Sequence, residues 1–209
     1  MVGLSDNLLK SFTLTLARLG ALKFGSFKLT SGKISPYYID LRIIPSSPEA
    51  FKLAIKIYSI EAEKIGVENF DVIVGVPTAG IVFASALAYH LGKPMAYVRK
   101  EAKGWGLGKA VEGLIRSRDR VLLVDDLITT GKSMVEAAEA VRSVGGQPVY
   151  GLVLIDREEG GVQILASKGI NLKAYTKITD ILQVLRSEGF LDEDKHREVL
   201  SYIRGEWKA

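Results

Sequence analysis

The feature that most constrains the fold is an alternation through the middle of the chain. "DVIVGV" (71–76), "MAYV" (95–98), "VLLVDD" (121–126) and "PVYGLVLID" (148–156) are short, nearly unbroken apolar runs. Between them lie helical patterns: "IVFASALAYHLG", ending at Gly92, and "SMVEAAEAVRSVGG", closed by Gly145-Gly146. A strand with apolar residues at every position has no side to turn to water, so both faces of its sheet must be covered. Strands alternating with helices cover both faces through right-handed crossovers, which predicts an α/β fold with a doubly wound parallel sheet flanked by helices. Further helices are predicted over 4–20, from the spacing of Leu4, Leu8, Phe12, Leu16 and Leu19, and over 48–65, with Pro48 at its start. The segment "LKAYTKITDILQVLRSEG" and a charged helix from about Asp194 to Arg204 complete the edge.

Composition narrows the function classes. A chain of 209 residues with 47% apolar content can bury one full core, which predicts a single soluble domain with a small appendage. With no Cys there are no disulfides and no thiolate metal sites, and His90 and His196 are too few for a His cluster. The start "MVGLSDNLLK" lacks the basic flank and apolar core of a signal peptide, and a cytoplasmic setting is expected. Residues 72–89 carry no charge, but Gly75, Pro77 and Gly80 break the run into strand, turn and buried helix, so no membrane span is expected. The net charge of +4 fits a Lys-rich surface or anionic ligands.

In doubly wound sheets ligands bind beyond the carboxyl ends of the strands. Four segments fall there: 75–80, 99–109, 125–133 and 156–161. In "VLLVDDLITTGKS" (121–133), Thr129-Thr130-Gly131-Lys132-Ser133 has the hydroxyls, exposed backbone N–H groups and Lys of a phosphate-binding turn at a helix start. Asp125-Asp126 immediately before it would repel that phosphate. A ligand carrying both a phosphate and a neutral diol, such as a ribose 5-phosphate, removes the conflict, because carboxylates accept from vicinal hydroxyls while the turn takes the anion. Ser133 and Glu136 also read as a capping box for the following helix. "GKS" is the tail of a nucleoside triphosphate loop, but Asp126 stands where that motif needs its first Gly.

"RKEAKGWGLGK" (99–109) sets Arg99, Lys100, Lys103 and Lys109 among Gly104, Gly106 and Gly108, a pattern for a mobile basic loop over a site. Its G-x-G-x-G spacing misses the dinucleotide fingerprint. "GVPTAG" (75–80) is a tight turn able to present N–H groups to an anion, and Arg157 in "IDREEGG" could pair with a carboxylate at the ligand edge.

With these segments on the page, the chain resembles the type I phosphoribosyltransferases, and more narrowly their orotate-specific members. The resemblance is carried in order by "LGALKFGSFKLTSGKISPYYIDLR", "GVPTAGIVFASALA", "YVRKEAKGWG", "VLLVDDLITTGKS" and "IDREEGG". It implies one phosphoribosyltransferase domain over 1–209, with a five-stranded parallel core and a small hood subdomain from about 1–45 and part of the C-terminal region. It implies a homodimer whose lid serves the neighbour's site, Mg²⁺ as cofactor, and transfer of the phosphoribosyl group from phosphoribosyl pyrophosphate to orotate. The donor's residues would be Arg99, Lys100, Lys103, Asp125, Asp126, Leu127, Ile128, Thr129, Thr130, Gly131, Lys132 and Ser133. Among these, Lys103, Arg99, Lys100 and Asp126 carry the catalytic roles. Thr129, Arg157 and Tyr38 would serve orotate. No side chain is expected to bind the metal directly: Mg²⁺ would be held mainly by the donor, with Asp125 or Asp126 reaching it through water. Trp105 and Thr30 stand where many members carry His and Lys, and Thr78-Ala79 where some carry a Lys, which leaves Lys103 as the main lid residue.

Two rival readings compete. A purine-specific relative would share the fingerprint, but Arg157 and "SGKISPYYID" favour an acidic pyrimidine. A nucleotide-responsive regulator that binds nucleic acid would need a basic arm, and residues 1–24 hold only Lys10, Arg18 and Lys23.

Overall fold

Strands buried on both faces organise the centre of the protein. The computed structural model describes residues 2–28, 32, 34–100 and 110–207. Its elements follow the sequence pattern closely: α1 (Val2–Arg18), β1 (Leu22–Lys28), β2 (Ile34–Ile39), α2 (Pro48–Ile65), β3 (Val72–Gly75), α3 (Ala79–Leu91), β4 (Met95–Val98), β5 (Val111–Glu112), β6 (Arg120–Val124), β7 (Leu127–Ile128), α4 (Lys132–Ser143), β8 (Gln147–Asp156), α5 (Gly161–Ser167), β9 (Asn171–Lys177), α6 (Ile178–Ser187) and α7 (Glu193–Ile203). By internal contacts the chain falls into two compact units, Met1–Ala54 with Thr176–Ala209, and Ile55–Tyr175.

In the unit Ile55–Tyr175 the sheet is mainly parallel, as expected. β3 pairs in parallel with β4 and with β6, and β8 pairs in parallel with β6 and with β7. Two strands extend this set: β5 lies antiparallel on β4, and β9 pairs with β8. The alternation of strand side chains explains the continuous apolar runs. Val72, Val74, Val121, Leu123 and Val153 share a core with Met134, Ala137, Ala138 and Val141 of α4. Ile73 and Leu122, one residue out of phase, are equally buried on the opposite face. Each such side chain contributes about 1.5–3 kcal/mol on burial. α3 ends as predicted, with Gly92 in the left-handed region (φ 64°) and the N–H of Lys93 bonded to the Ala88 carbonyl. α4 closes in a Schellman turn: Gly146 N–H donates to Val141 and Gly145 N–H to Arg142.

In the other unit, β1 and β2 form an antiparallel pair, α1 packs on α6, and α7 packs on β2. Phe12 and Leu16 of the predicted α1 stripe are buried. The charged C-terminal helix starts one residue earlier than expected, at Glu193, because Asp192 accepts the N–H of Lys195 as its cap.

Candidate active site

The two acids of the fingerprint do not end a strand; they interrupt one. β6 stops at Val124 and β7 resumes at Leu127, and both pair with β8 in an unbroken register from Leu122 to Ile128. Across the gap the backbone stays tied to β8, with Asp125 N–H donating to Leu152 O (3.1 Å) and Leu154 N–H to Asp126 O (3.0 Å). Asp125 Oδ1 accepts the N–H of Asp126 (2.9 Å), and Asp126 Oδ1 accepts the N–H of Leu127 (2.9 Å). Asp125 also takes the N–H of Gly80, in the first turn of α3, and hydrogen-bonds the side chain of Asp126. α3 has no side-chain cap of its own, so Asp125 supplies one from the adjacent strand. Burial and the neighbouring Asp126 charge push the Asp125 carboxyl well above the usual range.

Downstream, the turn enters α4 through Gly131, whose backbone is left-handed (φ 80°, ψ 0°) and which serves as N-cap with no side-chain bond. This corrects the expected capping box: α4 begins at Lys132, so Ser133 lies inside the first turn, exposed. The reason is local packing. A Cβ on Gly131 would meet the Gly161 backbone at 3.2–3.3 Å, and a Cβ on Gly161 would lie 2.5 Å from both Ile128 Cγ1 and Thr129 O. The close approach is held by Gly161 N–H donating to Thr129 O (2.9 Å). With no side chain capping it, the first turn of α4 leaves its N–H groups and positive dipole end for an anion.

On the other side of the acids, the turn 75–80 is clamped to β6. Val76 N–H donates to Val124 O (2.9 Å), and a Cβ on Gly80 would overlap that same carbonyl. Pro77, Thr78 and Ile81 line a cleft of about 410 Å³ with Tyr97, Val98, Arg99 and Lys100. Arg99 donates from Nη1 to Glu112 (2.7 Å), and its backbone bonds Ala110. Lys103, Trp105 and Lys109 of the expected basic loop lie outside the described residues, as does Thr30.

Arg157 follows β8, its N–H bonded to Ile128 O (3.0 Å), which sets it beside Thr129 in the ladder. Its side chain is 7% exposed and its guanidinium pairs with Glu159 at 2.9 Å. Tyr38 sits on β2 in the other unit, where its hydroxyl accepts from Arg42 (3.0 Å) and its ring lies 5.8 Å from that of Phe27.

Sequence reasoning missed Tyr58. It is fully buried on α2, and its hydroxyl donates to the Asp125 carbonyl (2.7 Å). No local signal could have found it, since the partners stand 67 residues apart. The packing duties of Gly80 and Gly161 were equally hidden, although both glycines close quoted motifs.

Residues 44–179 match the family model described as "Phosphoribosyl transferase domain". An orotate phosphoribosyltransferase of Pyrobaculum aerophilum is 43% identical over 195 residues, covering 93% of this chain and 98% of the relative. The crystal structure of orotate phosphoribosyltransferase from Aeropyrum pernix superposes with a TM-score of 0.72 at 32% identity, over 85% of this chain and 99% of the other. The structure of Leishmania donovani UMP synthase gives a TM-score of 0.84 at 33% identity over 95% of this chain, which spans 42% of that longer protein. The acid pair, the glycine-built turn into α4 and these likenesses agree: the chain belongs to the phosphoribosyltransferase family, among its orotate phosphoribosyltransferases.

Proposed function

We propose that the protein transfers the 5-phosphoribosyl group of phosphoribosyl pyrophosphate to orotate, yielding orotidine 5′-monophosphate and pyrophosphate for pyrimidine synthesis. The observation that carries this reading is the interrupted strand: two carboxylates suited to a diol run directly into an uncapped, glycine-built helix start suited to a phosphate. Only a ligand with both groups on one scaffold uses both halves.

Departure of pyrophosphate from the anomeric carbon builds negative charge on the leaving group and positive character on the ribose ring. Residues 129–133 hold the 5-phosphate and fix the ring. Asp126, with Asp125, accepts from the ribose hydroxyls and faces the cationic ring. Arg99 and Lys100, at the cleft beside the turn 75–80, and Lys103 of the lid stabilise the leaving group; fixed charges of this kind need no reorganisation during the reaction. Thr129 and Arg157 orient orotate, with Arg157 held ready by Glu159, and Tyr38 is assigned to the base by family resemblance. The acid pair fits a divalent cation, since the Asp126 charge bears on the neighbouring Asp125 carboxyl and a cation relieves that repulsion. When bound, Mg²⁺ supplies charge neutralisation on the pyrophosphate, held mainly by the donor with Asp125 or Asp126 reaching it through water. A cytoplasmic homodimer completes the proposal; no helix among the described residues is long and apolar enough to cross a membrane.

Ultraviolet measurement of orotate loss tests the reading. Orotate should be consumed only when phosphoribosyl pyrophosphate and Mg²⁺ are both present. No change at high protein concentration, with adenine or guanine consumed instead, would overturn it.

A further inference from the structure

One peptide unit decides where the fingerprint's second acid points. The Asp125 carbonyl and the Asp126 N–H belong to the same rigid plane, and that plane is pinned at both ends. Its N–H donates to Asp125 Oδ1 (2.9 Å), and its carbonyl accepts the Tyr58 hydroxyl (2.7 Å). The planes on either side are tied to β8 through Asp125 N–H and Asp126 O. β8 therefore sets the strand direction, and the Tyr58 bond sets the rotation of the plane between, which carries the Asp126 Cα–Cβ bond with it.

Tyr58 is built for this one contact. Its side chain has no exposed surface, and its ring lies 5.5 Å from that of Phe83 on α3, so the hydroxyl has little freedom to choose another partner. Burial and the nearby charges of Asp126 and Asp125 push its ionisation far up, which keeps it a donor across the working pH range.

We propose that Tyr58 is a positioning residue for donor binding: by locking the Asp125–Asp126 peptide plane it aims the Asp126 carboxylate at the ribose hydroxyls of phosphoribosyl pyrophosphate. This inference rests on the function proposed above. It assigns Tyr58 no contact with substrate.

Tyr58→Phe removes the hydroxyl and keeps the ring. The expected result is a rise of about 3- to 10-fold in the KM and calorimetric Kd for the donor, the size of one lost buried hydrogen bond. The KM for orotate should stay unchanged, the far-ultraviolet circular dichroism should be native, and Asp126→Asn should weaken the donor in the same selective way. In the double variant the two losses should combine to less than their product, because both act through one carboxylate. A Tyr58→Phe protein with wild-type donor affinity, or with donor and orotate weakened alike, would overturn the inference while orotate consumption by the wild type left the functional reading standing. Wild-type protein that fails to bind the donor would overturn both.

Discussion

At the scale of single residues, the two adjacent acids have different environments and so different duties. Asp125 receives the N–H groups of Gly80 and Asp126 and so ties the start of α3 to the strand, whereas the Asp126 carboxylate receives the N–H of Leu127 on the next strand segment. The raised ionisation of Asp125 has a consequence for stability. A carboxyl that binds its proton more tightly in the folded state favours folding fully at acid pH, and that contribution is lost as pH rises from the ordinary carboxylate range through the raised value. Asp125→Asn keeps an oxygen to accept from Gly80 and an amide to donate to Asp126, but removes the titration. The variant should therefore gain on the wild type as pH rises from 4 to 8. Urea unfolding at both values measures it; a difference that is flat or that shrinks with pH would count against the raised ionisation of Asp125.

At the scale of elements, the site depends on helices and turns coming closer to strands than any side chain permits. Gly80 brings the start of α3 against β6, and Gly161 brings the start of α5 against the cradle. Gly80→Ala puts a methyl into the Val124 carbonyl and beside the Asp125 Cα at 2.9 Å, neither of which is a flexible side chain that could step aside. We expect a loss of about 1–3 kcal/mol from overpacking. Donor binding should fall with it, since the same shift pulls the Gly80 N–H off Asp125. Thermal unfolding and donor titration of Gly80→Ala check both, and a variant with unchanged Tm would show that α3 is free to move. The element level is also where the sequence misled: Ser133 and Glu136 satisfy the capping-box spacing, yet the left-handed Gly131 takes the N-cap two residues earlier and leaves the start of α4 without a side-chain cap.

At the scale of the whole molecule, the proposed dimer with a shared lid makes a specific prediction. With the donor held well below the KM of the Asp126→Asn variant, Lys103→Ala and Asp126→Asn should each turn over slowly alone, but after subunit exchange an equal mixture should recover up to about a quarter of wild-type turnover, because half the dimers are mixed and each carries one intact site. Activity equal to the sum of the separate variants would show that each subunit uses its own lid. Sequence alone determined the order and type of the main elements, because continuous apolar runs and helical spacing report burial locally, and runs such as Val121–Val124 have no other stable home. It also singled out the segments proposed to carry chemistry, since "VLLVDDLITTGKS" and "IDREEGG" hold polar groups where a doubly wound sheet binds ligands. Only the tertiary structure decided how those groups divide the work. That Asp125 caps α3, that Arg157 is buried against Glu159, and that Tyr58 reaches the acid pair all depend on contacts between residues whose chain separation or side-chain direction no local pattern encodes. The two acids are identical in sequence; a buried tyrosine and a helix start make them different.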